Sequence, residues 1–239
     1  MTEVRTALVT GATSGIGRAA ALKLARDGFK VIVHGRDAGR GAAVVKEIES
    51  AGGAAGFIAA DLADVSAIGP LATAAGEVDV LVNNAGFSWF GPTADLEPDT
   101  YDALFAANVR SAYYLTAAIA PKMAERGRGT VINLGSMAGQ IGLAGGAAYS
   151  ATKAALASLT RSWAAEYSPR GVRIITIAPG PAYTGGSSRD RLTALGKTTL
   201  LARTAEAEEI GDVIAFLASP AAGYITGAVI PVDGGRTAV

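Results

Sequence analysis

Short apolar runs alternate with helically spaced segments along almost the whole chain, and this alternation limits the fold more than any other feature. The apolar runs fall at 7–10, 31–34, 56–60, 78–82, 130–134, 172–177 and 228–232. They are continuously apolar rather than alternating, as expected of central strands covered on both faces. Between them, 15–28, 42–51, 66–75, 99–126, 148–167 and 207–218 carry apolar residues at helical spacing, the fourth of these in one piece or two. Strands separated by helices predict βαβ units: an α/β chain with a doubly wound parallel sheet of about seven strands and helices on both faces. No linker, repeat or low-complexity tract divides residues 1–239, so a single domain is expected. Residues 187–201 stay open between helix and loop.

Composition removes several kinds of chemistry. There is no cysteine, so disulfides, thiolate nucleophiles and Cys-based zinc sites are excluded. His34 is the only histidine, which rules out a histidine metal cluster; no metal is expected. Standing at the end of a strand, it reads as structural or adenine-side rather than catalytic. Acidic and basic residues number 21 each. This balance gives no electrostatic footprint for nucleic acid or an acidic membrane. The uncharged stretch 129–152 is long enough to span a bilayer but holds six glycines, so it reads as a buried strand and a loop. Residues 1–5 carry Glu3 and Arg5 and form no signal-peptide core, so a cytoplasmic location is expected. Gly196-Lys197-Thr198 looks like the end of a phosphate loop, but Arg191 stands where that loop's first glycine belongs.

The first strand runs into Thr10-Gly11-Ala12-Thr13-Ser14-Gly15-Ile16-Gly17. Glycines there permit a tight turn and close backbone approach to a pyrophosphate, and the next helix aims its free N–H groups at the charge. Tyr149 and Lys153 are four apart on a predicted helix, which puts both on one face. Reducing a ketone needs an acid at the carbonyl oxygen. A free phenol titrates near 10, and a nearby ammonium is expected to lower that value. Ser136 lies just past the strand 130–134, and Asn108 lies in the preceding long helix.

The Thr10–Gly17 turn resembles the Thr-Gly-x-x-x-Gly-x-Gly signature of the short-chain dehydrogenase/reductase family. Asp61-Leu62, Asn83-Asn84-Ala85-Gly86, Pro179-Gly180 with Thr184, and Asp233-Gly234-Gly235 also resemble its motifs, and the likeness runs through the chain. The resemblance implies an NAD(P)-dependent oxidoreductase acting on CH–OH and C=O groups, with a catalytic tetrad of Asn108, Ser136, Tyr149 and Lys153. In that tetrad the asparagine holds a water near the lysine. It implies cofactor contacts from Gly11, Ser14, Gly15, Ile16, Gly17, Asp61, Leu62, Asn83, Ala85, Gly86, Tyr149, Lys153, Pro179, Gly180 and Thr184. By the same alignment Gly35 takes the slot that selects the cofactor, and Arg36 follows it. A guanidinium there favours NADP(H). Asp37, one place on, and Ser14, where a basic residue marks NADP enzymes, leave NAD(H) open.

The resemblance also places a substrate wall at Phe87, Trp89, Phe90, Ile141, Leu143 and Tyr183, which favours an apolar or aromatic small-molecule carbonyl. Arg189, Arg191 and Lys197 keep a 3-oxoacyl thioester of an acyl carrier or CoA as an alternative. A non-catalytic dinucleotide-binding scaffold is a third. Residues 185–201 are expected to act as a substrate lid. Alanine-rich helices 99–126 and 148–167 match those that pair subunits in the family, so a homotetramer or homodimer is expected.

Overall fold

The computed structural model describes residues 4–186 and 188–239. Residues 1–3, within the segment searched for a targeting signal, and residue 187, within the expected lid, lie outside the described residues. The chain runs β1 (Thr6–Val9), α1 (Gly15–Arg26), β2 (Lys30–Gly35), α2 (Ala38–Ser50), β3 (Ala54–Ala59), α3 (Ile68–Ala75) and β4 (Val80–Asn83). It continues through α4 (Pro98–Phe105), α5 (Ser111–Glu125), β5 (Gly129–Leu134), α6 (Ala147–Tyr167), β6 (Val172–Pro179) and β7 (Ala182–Tyr183). It ends with α7 (Arg189–Gly196), β8 (Ala205–Glu206), α8 (Ala207–Ala218) and β9 (Val229–Val232). Seven strands form a parallel sheet in the order β3-β2-β1-β4-β5-β6-β9.

Each central strand feeds two cores, because successive side chains point to opposite faces. Val9, Val33, Val82 and Ile132 pack with Leu24 of α1, Ile48 of α2 and Ile214 of α8. Leu8, Ile32, Leu81 and Val131 pack on the other face with Leu71 of α3, Leu115 and Met123 of α5 and Trp163 of α6. That double burial is why the strands read as unbroken apolar runs. Each such aliphatic side chain contributes about 1.5–3 kcal/mol relative to exposure.

The structure resolves two stretches that the sequence left open. The 99–126 segment is α4 and α5 joined by a π-helical turn, Ala106–Arg110, which holds Asn108. The open 187–201 stretch contains α7, and β7 and β8 pair as a separate two-stranded sheet on either side of it. Strands of two residues carry no periodicity to read. The chain order reverses at β1 and β4, and the carboxyl ends of these strands open into a crevice.

Candidate active site

The turn after β1 is built for close approach. Gly11 and Gly15 have φ of +63° and +52°, where a β-carbon is strained. A side chain at Gly17 would overlap the Gly11 carbonyl oxygen and Asn84 Nδ2. Ser14 precedes α1 without using its side chain as a cap, and the first turn of α1 carries no acid. The helix N-terminus therefore keeps its donors for an anion.

Side chains at the ends of β1, β2 and β4 brace this turn. Asn84 Nδ2 donates to the carbonyls of Thr10 (2.8 Å) and Gly11 (3.1 Å). Thr10 Oγ1 accepts from the N–H groups of Asn84 and Ala85, both at 2.9 Å. His34 Nδ1 accepts the Gly11 N–H (3.3 Å), which leaves Nε2 to donate to the Ala60 carbonyl (3.2 Å). Burial holds the His34 pKa below its ordinary value. Asn84 stood in the quoted motif without a role of its own. An amide at a strand end beside a glycine turn was the available signal.

A cleft of about 560 Å³ opens beside this turn. Ile16, Gly86, Pro179, Gly180 and Thr184 line its nucleotide side, and Ser136, Tyr149 and Lys153 line its floor. One turn of α6 separates Tyr149 from Lys153, and the lysine Nζ stands 5.7 Å from the phenol ring centre. Lys153 is buried and donates to the Leu134 carbonyl at the end of β5 (2.8 Å). Desolvation lowers its pKa to about 8. The expected lowering of the Tyr149 pKa is not found. Burial raises it, and a hydrogen bond with the Ser136 hydroxyl offsets only part of the rise. Taking a phenolate out of water costs more here than the nearby polar groups return.

Asn108 is fully buried, with Oδ1 accepting from the Phe87 N–H and Nδ2 donating to the Phe87 carbonyl and to Thr152 Oγ1. Both amide protons are thus used within the protein. The side chain straps the loop after β4 to α6.

Other expected site residues lie elsewhere. The Asn83 side chain turns inward and donates to Thr116 Oγ1 and Asn133 Oδ1. Asn133 passes the chain to Thr160 on α6, whose hydroxyl meets Thr176 on β6. Phe87, Phe90 and Leu143 line the cleft, but Trp89, Ile141 and Tyr183 do not. Trp89 lies against Gly91, where a β-carbon would overlap its ring. Tyr183 is held off by its hydroxyl contact with Thr193 (2.7 Å) and by Arg189 over its ring (4.2 Å). Asp61 folds back to accept the Ala63 N–H, and Leu62 is buried.

A family model described as short chain dehydrogenase matches residues 5–193. The chain belongs to the short-chain dehydrogenase/reductase family. A solved short-chain dehydrogenase/reductase family protein is 45% identical, with TM-score 0.92 and coverage of 99% of both chains. A 3-oxoacyl-[acyl-carrier-protein] reductase of Synechocystis sp. is 37% identical over 96% of this chain and 95% of its own. A blue fluorescent protein from a metagenomic library, solved in complex with NADPH, is 36% identical, with TM-score 0.92 and 97% of each chain covered. As a short-chain dehydrogenase/reductase, the protein is an oxidoreductase of alcohol and carbonyl groups that uses a nicotinamide dinucleotide.

The short-chain dehydrogenase/reductase site fits that dinucleotide on its own geometry. The cradle at Gly11, Gly15 and Gly17 and the uncapped start of α1 suit the pyrophosphate. At the end of β2, Arg36 is exposed, while Asp37 is engaged as the N-cap of α2, accepting the Arg40 N–H (2.9 Å) and pairing with its guanidinium (3.3 Å). Among the described residues no helix is long and apolar enough to cross a membrane, and no group of three acidic or histidine residues is placed to hold a metal.

Proposed function

We propose that the protein is an NADP(H)-dependent oxidoreductase that interconverts a carbonyl and a secondary alcohol, with Tyr149 as acid and base and an apolar or aromatic substrate body. One observation carries this reading: Ser136, Tyr149 and Lys153 share a cleft with Pro179, Gly180 and Thr184, under an apolar wall of Phe87, Phe90 and Leu143. A bound nicotinamide supplies or accepts the hydride. The residues of the chain hold the substrate oxygen and move its proton. Burial keeps the Tyr149 phenol protonated, ready to donate to a carbonyl oxygen as charge develops there. Ser136 offers a second hydroxyl to the same oxygen. Lys153, charged below about pH 8, stabilises the phenolate that remains and makes the reverse step accessible. Asn108, through Thr152, holds α6 against the loop after β4.

Arg36, exposed and forming no ion pair among the described residues, supports the NADP(H) preference, because the competing acid Asp37 is committed to its helix. The 185–201 segment acts as a lid, since Arg191, Leu192 and Leu195 of α7 line the cleft. Exposed Tyr101, Tyr113 and Tyr114 on α4 and α5 support pairing of subunits into a homodimer or homotetramer. The location that goes with this reading is the cytoplasm.

The test is a panel of ketones and alcohols with each nicotinamide, for the native chain and Tyr149→Phe. Turnover with NADPH exceeding that with NADH is expected, with Tyr149→Phe at least about 100-fold slower while still binding cofactor. A Tyr149→Phe protein as active as the native one would overturn the mechanism. A second reading, a 3-oxoacyl thioester reductase, draws on the Synechocystis relative. Under it, only carrier-linked substrates turn over.

A further inference from the structure

The charge lining the cleft is one-sided. Among the described residues that line it, Lys153 and Arg191 are the only charged side chains, and none of those residues is a carboxylate facing either one. Lys153 is committed to the Leu134 carbonyl. Arg191 sits on the first turn of α7 and makes no ion pair among the described residues. Its guanidinium carbon lies 5.2 Å from the Phe90 ring centre. The Phe90 ring in turn lies 5.5 Å from the Tyr149 ring centre. Arginine, Phe90 and the proposed acid thus form a row across the cleft. Stacking on Phe90 steadies the guanidinium plane and leaves its N–H edge free to accept a bidentate anion.

We infer that Arg191 selects substrates that carry a carboxylate a few bonds from the carbonyl: small oxo acids, or the corresponding hydroxy acids. The inference rests on the oxidoreductase reading above and adds a substrate class to it. The apolar side chains between Arg191 and Tyr149 take the carbon skeleton, the phenol takes the carbonyl, and the guanidinium takes the acid. The spacing favours a free small acid over a carrier thioester. The phosphate of an acyl pantetheine lies at the far end of a long arm, whereas Arg191 is only two ring contacts from the phenol. Closing α7 over the substrate would also bring the arginine to its anion, so that binding an acid and shutting the lid become one event.

The experiment compares 4-oxopentanoate and 5-oxohexanoate with their methyl esters, for the native protein, Arg191→Gln and Arg191→Lys. The native chain is expected to favour acid over ester by about tenfold or more in kcat/KM, the factor a charge-assisted hydrogen bond supplies. Arg191→Gln is expected to collapse that ratio toward one, mainly by raising KM for the acid, and Arg191→Lys to restore part of it. A native ratio near one, or a ratio that Arg191→Gln leaves intact, overturns the assignment while leaving the oxidoreductase reading standing. Turnover of 3-oxoacyl thioesters without that of oxo acids also overturns it. Failure to reduce any carbonyl with either nicotinamide removes both readings together.

Discussion

The turn after β1 and the helix α7 both border the cleft, yet they are held in different ways. Around the turn, Thr10, His34 and Asn84, from the ends of three strands, make buried or half-buried hydrogen bonds to backbone groups. Around α7, the polar contacts are mostly local and exposed: Thr193 bonds the Arg189 carbonyl and Tyr183, and Ser188 caps the helix. Two bonds from inside, Thr204 to the Leu192 carbonyl and Thr199 to the Gly196 carbonyl, anchor it. A nucleotide is the same in every turnover, so its cradle gains from being set in advance. If α7 covers the substrate as proposed, such loosely held structure suits a cover that must open and close.

The largest expected effect that would sharpen this contrast comes from Gly17→Val. The new side chain has no space against Gly11 and Asn84, and a loss of dinucleotide affinity of about 100-fold or more is expected, read by calorimetric titration. Asn84→Ala should cost about 1–3 kcal/mol in chemical denaturation, because two turn carbonyls lose their donor.

Lys153→Met tests the floor between the two regions. The buried ammonium titrates near 8 when folded and near 10.5 when unfolded, so its burial opposes folding below pH 8. That penalty fades as pH rises from about 8 to 10.5, because the unfolded chain then binds more protons than the folded one. The methionine protein is therefore expected to be at least as stable as the native one at pH 7 and to lose that advantage by pH 10, while its turnover falls sharply. A gap that widens with pH would contradict the assignment.

The smallest effect belongs to α7. Thr193→Val should change stability by about 0.5 kcal/mol and KM only a few-fold. If it costs as much as Asn84→Ala, the two regions are not held differently after all.

The same contrast explains what could be read in advance. Central strands such as β1 and β4 are buried on both faces, so burial writes itself into composition. The glycine turn leaves a mark because backbone at φ of +63° and +52° excludes other residues. By contrast, the two-residue β7 and β8 leave no pattern, and the π turn at Asn108 reads as ordinary helix because its composition is helical. The family resemblance placed Trp89 and Tyr183 in the substrate wall by the segments they belong to. Their placement is decided by Gly91 and Thr193, neighbours that spacing alone does not reveal. Asn83 and Asn84 are the same residue type one position apart, and strand alternation sends one into the interior and the other to the turn.

His34 carries a consequence for acid tolerance. Its two bonds need an uncharged imidazole, since protonating Nδ1 would set a donor against the Gly11 N–H. The ring's contribution is whole above pH 6.5 and drains away as the medium acidifies past its lower folded value. Mild acid is thus expected to loosen the mouth of the pyrophosphate cradle while the sheet beneath still stands, so that coenzyme is shed before the chain unfolds.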